Sequence, residues 1–161
     1  MSLFPLGSSR SEDRAPSSLD TDALRESFTL VAERAPDLTS RFYAILFARR
    51  PEVRAMFAPS MRRQEEMLTR ALAAVLEHLE DGPWLAGTLR ALGAKHVAYG
   101  VTDEMYDWVG AALLEALADV AGADWTPRVA KAWTDAYGAI SGLMMEGARA
   151  VETAPSSSAA E

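Results

Sequence analysis

Apolar residues return every three or four positions, in one stretch after another, between prolines and glycines. No other feature constrains the fold as strongly: this spacing dictates helices and leaves no alternation for strands. Asp20 or Thr21 can cap a first helix on which Leu24, Phe28 and Val31 share a face. Pro36 breaks it, and a second helix carries Leu38, Phe42, Ile45 and Leu46 before ending ahead of Pro51. A short helix spans Pro51 to Phe57, and Ala58-Pro59-Ser60 makes a loop. Ser60 is the expected cap of a long helix from about Met61 to Glu80, whose stripe is Met61, Gln64, Leu68, Leu72, Val75 and Leu79. Asp81-Gly82-Pro83 ends it and opens the next helix, which within Trp84 to Val101 aligns Leu85, Leu89, Leu92, His96 and Tyr99. Thr102 or Asp103 caps the next, with Met105, Val109, Leu113, Leu117 and Val120 inward and Gly122 as its stop. The last helix runs from about Thr126 to Ala150 and turns Val129, Trp133, Tyr137, Ile140 and Met144 inward.

A chain of 161 residues is expected to form one domain with a real core. Residues 1–19 and 151–161 show no apolar period and are expected to be disordered tails around a domain at 20–150. The net charge of -7 argues against nucleic acid or an anionic membrane as partner. No apolar run is long enough to span a bilayer, and Met1 to Gly7 lacks the basic flank of a signal peptide. A cytoplasmic location is the expectation. The absence of cysteine is compatible with it, and also removes disulfides, thiolate metal sites and thiol nucleophiles.

Three polar side chains fall on faces that should be dry: Tyr43 beside Phe42, Gln64 one turn before Leu68, and His96 on its own apolar stripe. A buried amide without a partner costs about 1–3 kcal/mol, so something must answer it. One such residue means a buried hydrogen bond, and a core histidine is ordinarily satisfied by a neighbour. Three from three helices point to a shared polar object, and a haem carrying a polar gas ligand would be one. His78 lies ten residues past Leu68, about 15 Å along the same helix, too far to share a site with it. With Val75 three residues before it, His78 also departs from the Glu-x-x-His pattern of di-iron bundles, and is read as a solvated or interface histidine.

The segments Phe42-Tyr43-Ala44-Ile45-Leu46-Phe47-Ala48-Arg49-Arg50-Pro51-Glu52-Val53-Arg54-Ala55-Met56-Phe57, Leu92-Gly93-Ala94-Lys95-His96-Val97-Ala98-Tyr99-Gly100-Val101 and Ala132-Trp133-Thr134-Asp135-Ala136-Tyr137-Gly138, with Gln64, Leu68 and Tyr106, resemble single-domain bacterial globins. They are similar to the globin domain of flavohaemoglobins and to bacterial haemoglobins without a reductase domain. The resemblance covers roughly Asp20 to Ala150. It implies an all-α globin fold, a three-over-three helical sandwich around a non-covalent haem b.

Carried over by position, His96 is the proximal iron ligand, Phe57 packs on the haem face, Tyr43 and Gln64 are the distal donors, and Leu68 is the apolar residue one turn later. Leu92, Val101 and Tyr106 are the remaining pocket residues, and Glu146 is a weaker match to the proximal glutamate of flavohaemoglobins. Without that carboxylate the His96 N–H is expected on a backbone carbonyl. The implied function is binding of O2, NO and CO, with oxidation of NO to nitrate if a separate reductase supplies electrons, since no flavin domain follows in the sequence. The alternatives are a gas or redox sensor acting through a partner protein, and a haem-free interaction protein. A monomer and a homodimer are both compatible. The basic residues Arg49, Arg50, Arg54, Arg62 and Arg63 are either a solvated face or a surface for haem propionates or an acidic reductase.

Overall fold

The computed structural model describes residues 19–153, and all of their regular structure is helical. Six α-helices follow one another: α1 (Thr21–Arg34), α2 (Leu38–Arg49), α3 (Arg62–Glu77), α4 (Gly82–Ala98), α5 (Asp103–Ala121) and α6 (Pro127–Thr153). Short 3-10 turns occupy Pro51–Met56 and Gly122–Asp124. The polar punctuation acts as local chemistry requires. Asp20 accepts from the Ala23 N–H at 3.1 Å, Asp81 from Trp84 at 3.1 Å and Thr126 from Val129 at 3.2 Å, each satisfying an orphan donor of a first turn. Gly122 ends α5 at φ +56°, a region that disfavours any side chain.

Three boundaries differ from expectation. Met61, not Ser60, precedes α3, and no side chain caps that helix. α3 stops at Glu77, because the His78 N–H closes onto the Ala74 and Val75 carbonyls and its ring bonds Ala74 O at 2.8 Å. α6 continues to Thr153, so residues 151–153, expected in the tail, are helical. The Thr153 hydroxyl donates back to Arg149 O at 2.9 Å there. The rest of both expected tails lies outside the described residues.

α2 packs on α5, α1 lies across α5 and α6, α3 rests on α2, and α4 packs along α6. Leu24, Val31, Leu46 and Leu117 are sealed from water at the centre. Truncating any of the three leucines to alanine would cost about 2–5 kcal/mol. The indole N–H of buried Trp133 donates to Ser27 Oγ at 2.8 Å, and Ser27 donates to Ala23 O at 2.6 Å, so this core carries its polar atoms in pairs. The buried interior comes in two pieces. The larger joins α1, α2, α5 and the first half of α6, while a smaller one gathers Leu89, Tyr106 and Met144 beneath α4.

Burial is uneven among the helices. On α3 only Leu76 is fully buried, while Gln64, Leu68, Leu72 and Val75 remain half-exposed. On α4 only Leu89 and Gly93 are buried, while Leu85, Leu92 and His96 remain half-exposed. These are the helices whose apolar stripes carried the candidate residues. Among the described residues, no helix is long and apolar enough to cross a membrane.

Candidate functional site

Tyr43 lies on α2 and Gln64 in the first turn of α3, 21 positions apart in sequence. The structure brings them together: Gln64 Nε2 donates to Tyr43 Oη at 3.0 Å. The tyrosine is held by rings on three sides, with Phe42 edge-on at 4.8 Å, Phe47 stacked at 5.7 Å and Phe57 edge-on at 5.5 Å. Such pairs fix orientation beyond simple burial. Burial pushes the Tyr43 hydroxyl above its ordinary 10.0, although the Gln64 hydrogen bond works the other way. The phenol therefore stays protonated at neutral pH. It accepts from the amide, and its own proton engages no other described residue.

A second tie between α2 and α3 carried no signal in sequence. Thr39, buried one turn before Tyr43, meets Thr69 with hydroxyl oxygens 3.2 Å apart. Thr69 donates to Glu65 O at 2.9 Å, so Thr39 is the donor between the two threonines. Together the two contacts set the separation of the helices at the level of Tyr43. Phe57 follows the 3-10 turn, and Arg54 clamps the loop beyond it by donating to Ala58 O at 2.9 Å and Pro59 O at 2.7 Å. Phe57 and Leu68 both pack at the edge of the larger apolar cluster.

His96 occupies the last turn of α4. Its Nδ1 donates to the Leu92 carbonyl at 2.7 Å, which fixes the tautomer and leaves Nε2 with a free lone pair. The expected carbonyl partner is therefore the one found. Glu146 takes no part: its carboxylate accepts from Arg90 at 3.0 Å on the exposed side of α6. Leu92, Val101 and Tyr106 belong to the smaller cluster, apart from Tyr43, Phe57 and Leu68. Tyr106 is only 6% exposed, and its hydroxyl has no hydrogen-bond partner among the described residues. Tyr137 donates to Tyr106 O at 2.6 Å and secures α6 against α5 at this point.

The height of α4 is set by glycine. A Cβ on Gly93 would lie 1.8 Å from Met144 O, and one on Gly147 would lie 1.9 Å from Arg90 O. α4 and α6 thus cross backbone against backbone, one turn before His96. Tyr99, expected on the buried stripe, is instead 64% exposed. α4 has already ended at Ala98, and Gly100 at φ +84° turns the chain, so Tyr99 swings outward with its ring 5.7 Å from the His96 ring. His78 stacks on Trp84 at 3.7 Å at the far end of α3 and does not join the site.

The basic residues separate into two groups. Arg49 pairs with Glu115, Arg50 lies 4.2 Å over the Trp108 ring, and Arg54 holds the loop after Phe57. Arg62 and Arg63 make no such contact among the described residues.

A globin family model matches residues 40–144. The chain belongs to the globin family. It is 34% identical over 125 residues to a flavohemoprotein of Rhodopirellula baltica, a match covering 76% of this chain and 31% of that one. A flavohemoprotein of Bordetella pertussis is 32% identical over 131 residues, 80% of this chain and 33% of its own. The chain thus spans about a third of the length of the curated relatives it matches. A bacterial globin of Campylobacter jejuni superposes with a TM-score of 0.72 at 26% identity, over 83% of this chain and 97% of that one. An engineered carbene transferase from Rhodothermus marinus, provisionally named a nitric oxide dioxygenase, gives 0.72 at 26% identity, over 88% and 96%. A flavohemoglobin of Malassezia yamatoensis, solved with bound FAD and heme, gives 0.62 at 25% identity, over 80% and 35%.

Proposed function

We propose that this globin holds haem b non-covalently between α3 and α4, with His96 Nε2 on the iron, and binds O2, NO and CO beside Tyr43 and Gln64. The observation that carries the reading is the hydrogen bond from Gln64 to Tyr43, which leaves one phenolic proton free within a shell of phenylalanines. The residues present fit a haem on three counts. The apolar stripes of α3 and α4 are only half covered by protein. The Tyr106 hydroxyl is buried without a partner among the described residues. His96 stands without a metal cage, since no three His, Asp or Glu gather among the described residues. A lone imidazole suits a metal that arrives with its other ligands already in place.

When bound, the haem supplies the iron centre at which a diatomic gas is taken up. The protein supplies the rest. The Leu92 carbonyl holds the His96 ring in the tautomer that presents Nε2. Phe57, Leu68, Leu92 and Val101 exclude water. Tyr43 directs its free proton into the distal space, and Gln64 strengthens that donor by polarising it. A ligand that gains negative charge on binding, as O2 does, is held by about 1.5–3 kcal/mol per charge-assisted bond.

The reading extends to oxidation of NO, in which NO, O2 and one electron give nitrate. The flavohemoprotein relatives support it, and a separate reductase is the proposed electron source. The test is to purify the protein, record the Soret band in ferric and ferrous states, and mix the oxygenated form with NO. A Soret band and stoichiometric nitrate are expected. Colourless protein would overturn the haem reading, and the absence of nitrate would remove the dioxygenase step.

A further inference from the structure

Arg62, Arg63 and Arg70 make no hydrogen bond or ion pair with another described residue. Every other arginine in the described region is engaged by a carboxylate, a carbonyl or an indole. The three free guanidinium groups share one surface. Arg63, Glu66, Met67 and Arg70 repeat at helical spacing along the outer face of α3, and together with Ser60 and Arg62 they line a shallow cleft. Glu66 is the single carboxylate there, so the face is cationic in a protein of net charge -7. At its centre Met67 is 50% exposed, and methionine is an adaptable apolar side chain favoured at binding surfaces. An apolar centre with a charged rim is the anatomy of a transient protein interface. This face also adjoins the site, since Gln64 and Leu68 lie on the same helix, one residue from Arg63 and Met67 respectively.

We infer that the Arg62–Arg63–Arg70 face of α3 is the docking surface for an acidic flavoprotein electron donor. The inference rests on the haem reading above and names the partner class that reading requires. Charge complementarity selects the occupant: three guanidinium groups without a partner among the described residues attract the acidic rim of a protein partner. The step served is simple. One electron leaves the reduced flavin and is taken by ferric iron, and no bond forms or breaks. Docking on α3 shortens the path from the flavin to the site.

The experiment uses a flavodoxin as the acidic probe. Oxidised flavodoxin is titrated into protein carrying 13C-methyl methionine, and the Met67 methyl resonance reports docking whether or not haem is bound. Pre-reduced flavodoxin is then mixed with the ferric protein in a stopped flow. The Met67 resonance should shift more than that of buried Met144. Reduction should slow as salt rises, because exposed charges are screened over about 10 Å at 0.1 M ionic strength. Reversing Arg62, Arg63 and Arg70 to glutamate should abolish the Met67 shift and slow reduction about tenfold or more at low salt. Reversing Arg128, Lys131 and Arg149 gives the same change in net charge and should have a far smaller effect. CO rebinding after photolysis should be the same in both variants, which shows that the pocket is intact.

Equal effects of the two triple reversals, or no Met67 shift in the wild type, would overturn the docking surface while leaving haem and gas binding untouched. Cosedimentation with phosphatidylglycerol vesicles that the first reversal abolishes, in the absence of any flavodoxin effect, would assign the face to a membrane and overturn the proposal as well. Protein without a Soret band would instead remove the underlying haem reading.

Discussion

The Gln64 amide donates to the Tyr43 hydroxyl across 3.0 Å, so the two proposed distal groups form one hydrogen-bonded chain that ends on the phenolic proton. Tyr43→Phe removes the terminal donor, while Gln64→Leu only depolarises it. Tyr43→Phe should raise the O2 dissociation rate by roughly tenfold or more, a loss of at least about 1.4 kcal/mol. Gln64→Leu should raise it by less, and the double variant should match Tyr43→Phe within a factor of about three, because linked sites do not add. CO, which gains little charge, should respond weakly to all three. Rates measured by rapid mixing settle this, and equal changes for O2 and CO would mean that the side chains act by filling space.

His96 and His78 are the two histidines of the chain, and they occupy different surroundings. His96→Ala should lose haem or bind it weakly, with the Soret band reduced in purified protein. His78→Ala should leave the spectrum unchanged. Its loss would disturb the stacking on Trp84 and the ring's bond to Ala74 O at the end of α3. An unaltered ferrous spectrum in His96→Ala would exclude it as ligand.

The crossing of α4 and α6 makes a sharp contrast among glycines. Gly93→Ala drives a methyl to within 1.8 Å of Met144 O, so the helices must separate. A cost of about 1–3 kcal/mol or more is expected from overpacking, with a shift in the iron–histidine stretching band, because Gly93 lies one turn before His96. Gly87→Ala on the same helix meets open space. It should stabilise by up to about 1 kcal/mol through helix propensity alone. Urea denaturation and resonance Raman spectra of the two variants are the measurements.

Alkaline pH should expose the buried tyrosines. Burial raises the hydroxyls of Tyr43, Tyr106 and Tyr137 above the ordinary 10.0. In each case the folded protein keeps a proton that the unfolded chain releases. Their stabilising contribution is therefore complete below pH 10 and is lost as pH climbs through the raised values. Urea midpoints should fall steadily above pH 10. Tyr137→Phe should lessen that fall, because Tyr137 carries the largest of the three shifts.

Glu146 is bound to Arg90 on the surface, so the imidazole of His96 has a carbonyl and not a carboxylate behind it. Glu146→Gln should therefore leave the iron–histidine stretching frequency and the NO reaction of the oxygenated protein unchanged. A downshift of the band in Glu146→Gln would place the carboxylate on the imidazole.

Most helix positions were legible in the chain because a 3.6-residue period and its caps are local properties. Asp20, Asp81, Thr126 and Gly122 act within their own turns, and they end or begin helices where the sequence places them. The pairing of Tyr43 with Gln64 was legible only in part. Sequence showed two polar groups on dry faces, but not that one donates to the other. Thr39 and Thr69 gave no sign at all, since a threonine on a helix looks the same in sequence whether it faces water or another hydroxyl. Tyr99 misled because periodicity assumes that the helix goes on, and α4 had ended one residue earlier.

By itself the sequence determined that the chain is helical, where the helices break, and that His96, Gln64 and Tyr43 stand on faces where polar groups need an answer. Tertiary structure alone decided the answers that cross between helices, the tyrosine hydroxyl for Gln64 and Arg90 rather than histidine for Glu146, while His96 is answered within its own helix by the Leu92 carbonyl four residues back. It also decided which arginines find a partner at the surface and which three find none among the described residues. Periodicity and capping act over four residues, whereas a hydrogen bond between helices depends on how closely they approach. In this chain that distance is set by Gly93 against Met144 and by Thr39 against Thr69, contacts between residues far apart in the chain.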